Sequence, residues 1–105
     1  MVIVVPKRLL TIWTDASKEL TCYVTDGCAI ITKIVPNKMS LSVNESEYLA
    51  IVRSLSCCLH IKPDHVDLYS DSQVAINQIN GIYAIKAENL YQRYKTVQTL
   101  SKMYN

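Results

Sequence analysis

Leu9-Leu10-Thr11-Ile12-Trp13-Thr14-Asp15 and Val66-Asp67-Leu68-Tyr69-Ser70-Asp71 are two apolar stretches that each end on an aspartate. Asn44-Glu45-Ser46-Glu47 lies between them and opens an amphipathic run. β-Branched and aromatic residues dominate both stretches, which predicts two buried strands with Asp15 and Asp71 as their last residues. Strand side chains alternate faces, so Asp15 shares a face with Trp13 and Thr11, and Asp71 with Tyr69 and Asp67. If the two strands are parallel neighbours, roughly 4.8 Å apart, the carboxylates meet at the carboxyl edge of the sheet. Open α/β folds bind ligands there. Carboxylates that close repel each other, and a divalent cation would hold both ionised. Oxygen donors without a thiolate or imidazole beside them favour magnesium or manganese over zinc.

Outward from these stretches, a short polar turn, Ala16 to Glu19, leads to Leu20-Thr21-Cys22-Tyr23-Val24-Thr25. Asp26-Gly27 then separates that run from Cys28-Ala29-Ile30-Ile31-Thr32-Lys33-Ile34-Val35, the pattern of a tight hairpin. Asn44 as N-cap, with Glu47 three residues on, predicts a helix start. Tyr48, Ile51, Val52, Leu55 and Leu59 keep helical spacing, so one face of that helix packs on the sheet, and Lys62-Pro63-Asp64 ends it. After Asp71 a short helix is predicted around Val74, Ala75 and Ile79, broken by Asn80-Gly81. A last helix follows from about Glu88 to Met103, with Leu90, Tyr94, Val97 and Tyr104 on one stripe. A long helical crossover joins parallel strands, whereas hairpins join antiparallel ones. The expected fold is therefore α/β, a mixed sheet with strands 1–3 antiparallel and strand 4 parallel to strand 1.

At 105 residues, half of them hydrophobic, the chain is read as one domain with a single core. A net charge of +2 without a basic run permits a nucleic-acid partner without announcing one. Cys22, Cys28, Cys57 and Cys58 lack zinc-type spacing. Cys22 and Cys28 could face each other across the hairpin, but reduced, core-filling thiols in a cytoplasmic protein are the preferred reading. Val2-Ile3-Val4-Val5, stopped by Pro6, is too short for a signal peptide or a membrane span, so no membrane association is expected.

Taken together, Thr14-Asp15-Ala16-Ser17, Asn44-Glu45-Ser46-Glu47-Tyr48-Leu49-Ala50 and Ser70-Asp71-Ser72-Gln73 resemble, in order, three motifs of the ribonuclease H family. The stretch Gln78 to Tyr83, followed by Asn89-Leu90, is similar to compact members without a basic protrusion. The resemblance implies a metal-dependent endonuclease that cuts the RNA strand of an RNA/DNA hybrid by two-metal displacement. Asp15 would bridge both ions of magnesium or manganese, with Glu47 and Asp71 on the leaving-group side. Asn44 and Gln73 match polar positions that contact the hybrid in its minor groove, and Ser17 is taken with them as a substrate-binding candidate. Glu45 stands where a second asparagine is common, and a carboxylate there is expected to repel phosphates.

The family continues with a fifth strand and a final helix carrying a fourth carboxylate, which this chain lacks. The resemblance thus implies one good metal site and one poor one, an exposed sheet edge, and a chain shortened or cut from a longer one. A homodimer through that edge, or an extra strand formed by Val2 to Val5, could cover it. The alternatives in function are a catalytically silent ribonuclease H-like module that binds nucleic acid or scaffolds a partner, and a piece of a retroelement polyprotein.

Overall fold

The computed structural model describes residues 2–4 and 7–104. Four strands and three α-helices follow in the order β1 (Leu9–Ala16), β2 (Leu20–Gly27), β3 (Thr32–Pro36), α1 (Val43–Cys58), β4 (His65–Ser70), α2 (Gln73–Ile79) and α3 (Glu88–Lys102). They build one sheet with strand order β3-β2-β1-β4. β1 pairs antiparallel with β2, and β2 antiparallel with β3. β1 and β4 run parallel, with Trp13 opposite Tyr69 and Thr14 opposite Ser70. The mixed sheet expected from the sequence is present.

The helices gather on one face. Leu10 and Ile12 of β1 and Tyr23 of β2 meet Tyr48, Ile51, Leu55 and Cys58 of α1, and Ala75, Leu90 and Val97 from α2 and α3 close the same core. Polar groups lock this layer together. Tyr48 Oη donates to Gln78 Oε1 at 2.7 Å, tying α1 to α2, and burial raises the Tyr48 hydroxyl to about 12. Arg53 donates to Thr21 Oγ1 at 2.6 Å, to Asn37 Oδ1 at 2.9 Å and to the Val35 carbonyl at 3.3 Å, so one guanidinium joins α1 to β2, β3 and the loop after β3. Tyr104 donates to the Leu55 carbonyl and holds the end of α3 on α1.

The opposite face of the sheet carries no helix among the described residues. Leu9, Trp13, Val24 and Tyr69 are exposed there, and Trp13 stacks on Tyr69 with ring centroids 6.2 Å apart and planes 19° from parallel. Cross-strand aromatic pairing of this kind shields part of an otherwise wet apolar surface.

Several local expectations and open alternatives are corrected. Asp26-Gly27 is not the tip of a hairpin, because β2 continues through Gly27, with Asp26 opposite Thr11 and Gly27 opposite Leu10. The chain turns beyond it, where the Thr25 hydroxyl donates to the Ala29 carbonyl at 2.8 Å and accepts from Ile31 N–H at 2.9 Å. Asn44 does not cap α1. Ser42 does, accepting from Glu45 N–H at 3.1 Å, and Asn44 lies inside the first turn. Asp71 follows β4 rather than ending it, Asp15 is followed by one more strand residue, and α2 is capped by Ser72. Cys22 stands opposite Ile34, and Cys28 lies past the end of β2, so the two thiols do not face each other. All four cysteines are free. Val2 to Val4 form no strand, and Val5 lies outside the described residues. No described helix is long and apolar enough to cross a membrane.

Gly27 has a positional role. Its φ is +97°, and a Cβ built there would stand 2.3 Å from the Leu9 carbonyl oxygen. The strand pair closes tightly at this point, with Cys28 N–H donating to the same oxygen at 2.8 Å. Gly27→Ala is expected to destabilise the fold by more than about 2 kcal/mol. A urea midpoint followed by circular dichroism reads this, and a midpoint equal to that of the parent would contradict the close approach.

Candidate metal centre

Two strands and a helix deliver the three carboxylates. The parallel β1–β4 pair brings Asp15 and Asp71 to the same carboxyl edge, and the crossover α1 places Glu47 over that edge from its second turn. One carboxylate oxygen from each of Asp15, Glu47 and Asp71 lies within 4.8 Å of the other two. Asp15 and Asp71 are exposed and Glu47 is buried. Among the described residues no further aspartate, glutamate, histidine or cysteine joins this group.

Ser42 caps α1 and Ser72 caps α2, so neither Glu47 nor Asp71 is needed for capping. Asp15 accepts from Ala16 N–H at 2.9 Å, which fixes its carboxylate beside the strand end. Glu47 has a buried oxygen, Oε2, without a hydrogen-bond partner. Burial first, then the charges of Asp71 and Asp15, push the Glu47 carboxyl up to about 7. A buried carboxylate with an orphaned oxygen facing two like charges is costly. A divalent cation would offset the like charges and give the orphaned oxygen a partner, and three hard oxygen donors suit magnesium or manganese. The donor set therefore fits such an ion.

The substrate-binding candidates flank the three acids in sequence. Ser17 follows Asp15 by two residues, Asn44 precedes Glu47 by three, and Gln73 follows Asp71 by two, and all three are exposed. Glu45 differs from expectation. Its Oε1 accepts from Asn89 Nδ2 at 2.7 Å, and its Oε2 accepts from Arg93 Nη2 at 3.1 Å and Nε at 3.3 Å. The Asn89 hydrogen bond and the Arg93 guanidinium hold the Glu45 carboxyl below its ordinary range against a smaller opposing effect of burial. Its charge is matched internally. The available signal was the four-residue spacing of Asn89 and Arg93, which puts both on one face of α3.

The family model described as reverse transcriptase-like matches residues 22–105. The chain belongs to the reverse transcriptase-like family. The matched segment of this reverse transcriptase-like chain holds Glu47 and Asp71 and begins after Asp15. Its fold is that of the ribonuclease H family. It is similar to the RNase H1 of the halophilic archaeon Halobacterium salinarum NRC-1, with a TM-score of 0.82 at 20% identity, covering 92% of this chain and 80% of the other. It is also similar to the N-terminal RNase H domain of a Mycobacterium tuberculosis protein, with a TM-score of 0.78 at 16% identity, covering 91% and 76%. LC11-RNase H1, solved in complex with an RNA/DNA hybrid, gives a TM-score of 0.71 at 18% identity, covering 89% and 76%. No curated protein matches the sequence.

The raised Glu47 carboxyl has a signed effect on stability. Between its ordinary value of 4.5 and its folded value of about 7, the folded metal-free protein holds a proton that the unfolded chain has lost. Stability therefore falls as pH rises through that window and stays lower above it. The metal-free melting temperature is expected to fall from pH 5 to pH 8, and Glu47→Gln to flatten the profile. At pH 8 that variant should gain on the order of 1–3 kcal/mol over the metal-free parent. Thermal melts across this range check both, and parallel profiles for parent and variant would contradict the assignment.

Proposed function

We propose that this chain is a metal-dependent endonuclease that hydrolyses the RNA strand of RNA/DNA hybrids. The convergence of Asp15, Glu47 and Asp71, with their ligand oxygens within 4.8 Å of one another, carries this reading. The similarity in fold to LC11-RNase H1, which was solved with a hybrid, supports the choice of substrate.

In this reading Asp15, Glu47 and Asp71 hold magnesium or manganese, and two cations take part, as the family resemblance implies. When bound, the cations supply a nucleophile from water at neutral pH and charge to stabilise the leaving oxygen. The chain's own residues prepare the site. α1 holds Glu47 rigidly at the sheet edge, and the Ala16 N–H orients Asp15. Asn44 and Gln73 meet the hybrid in its minor groove, where the 2′-hydroxyls distinguish RNA from DNA, and Ser17 is a further substrate-binding residue.

One observation favours a second reading. No fourth acid joins the cluster among the described residues. Glu88, the last acid in the sequence, accepts instead from Gln92 at 2.8 Å in the first turn of α3. In this second reading the three carboxylates serve hybrid binding without cleavage.

Cleavage of an end-labelled RNA/DNA hybrid by the purified chain, in magnesium and in manganese, separates the two. Cutting of the RNA strand that falls by at least about a hundredfold in Asp71→Asn is the expected result. Intact hybrid, bound by a folded protein in both metals, would overturn the nuclease reading in favour of the silent module.

A further inference from the structure

Glu45 is the residue that departs from the family pattern on the proposed hybrid-facing rim, and the structure gives it an unexpected set of partners. Both of its carboxylate oxygens are taken by α3, Oε1 by Asn89 at 2.7 Å and Oε2 by the Arg93 guanidinium at 3.1 and 3.3 Å. Its backbone is held as well, since Glu45 N–H donates to the Ser42 hydroxyl at 3.1 Å. The ion pair is partly desolvated, with side-chain exposures of 27% for Arg93 and 19% for Glu45. Geometry of this kind distinguishes it from the exposed pairs that contribute little. It spans elements far apart in sequence, joining the first turn of α1 to the first two turns of α3. Asn44, the neighbouring residue, is exposed on that same first turn.

We propose that Glu45, together with Asn89 and Arg93, is a positioning residue for hybrid binding, a clamp that fixes the first turn of α1 and so the direction in which Asn44 is presented. The inference rests on the hybrid-binding reading above. It reverses the sign expected from charge alone. A free carboxylate on a phosphate-facing surface weakens binding, so its removal tightens binding. Removal of a clamp loosens it, because Asn44 then has to be ordered at the moment of association. Arg93 is likewise assigned to Glu45 and not to a phosphate.

The test is fluorescence anisotropy of a labelled RNA/DNA hybrid with the full chain, using calcium in place of magnesium to hold off cleavage. Parent, Glu45→Ala, Arg93→Ala and the double variant are compared over a range of salt, each first checked by thermal melting. Each single variant is expected to weaken binding roughly three- to tenfold, with the double variant no weaker than the singles. The slope of affinity against salt should not change. Glu45→Gln keeps an acceptor for Asn89 but sets an amide N–H against the guanidinium, so it should show an intermediate loss, and it substitutes for Glu45→Ala if the latter does not fold. Equal or tighter binding by Glu45→Ala would overturn the clamp. So would a salt slope reduced by about one in Arg93→Ala, the mark of a direct phosphate contact. If the parent itself does not bind hybrid, the functional reading falls and the clamp with it. If the parent binds and the variants match it, the clamp alone falls.

Discussion

The parallel pairing of β1 with β4 is the constraint on which the rest of the molecule depends. Parallel neighbours cannot be joined by a tight turn, so the chain has to cross over, and α1 is the body of that crossover. The same pairing aligns the carboxyl ends of the two strands, which brings Asp15 and Asp71 together. The helix required by the connection then carries Glu47 over that edge. Topology and site are consequences of one pairing.

That convergence sets stability against charge. The apolar layer formed by Leu10, Ile12, Tyr48, Ile51 and Leu55 fixes α1 on the sheet, and in doing so buries a carboxylate among its like. A fold selected only for stability would place an apolar or amide side chain at position 47. Glu45, two residues earlier on the same helix, shows the opposite solution, with both oxygens satisfied by α3. The contrast between a matched glutamate and an orphaned one, less than a turn apart, points to Glu47 as the one kept for a ligand. Elsewhere the molecule leaves part of its apolar surface wet, and the stacking of Trp13 on Tyr69 is the local response on the helix-free face.

Much of this was legible in the sequence. Alternation in Leu9–Asp15 and the helical spacing of Tyr48, Ile51 and Leu55 reported burial directly, whereas β4, expected to be a buried strand, lies at the edge of the sheet and has no fully buried residue. The acids were legible because they fall at the ends of those elements. Capping was read wrongly for a physical reason. Ser42-Val43-Asn44-Glu45 and Asn44-Glu45-Ser46-Glu47 both satisfy the pattern of a polar cap with glutamate three residues on, and only the tertiary position of Glu47 at the sheet edge selects the first. Asp26-Gly27 has the composition of a turn, but pairing with β1 extends β2 through it and gives Gly27 a different task, the close approach to Leu9. The Glu45 clamp was out of reach, because its partners come from a helix more than forty residues away and act through side-chain geometry alone.

The central claim is that the three carboxylates act together in binding divalent cation, and manganese binding followed by isothermal titration calorimetry tests it most directly. The account predicts that the parent chain binds manganese at neutral pH with proton release, and that Asp15→Asn, a change in β1, weakens binding by at least about tenfold. Manganese binding of equal strength in parent and Asp15→Asn, or none in the folded parent, would contradict it.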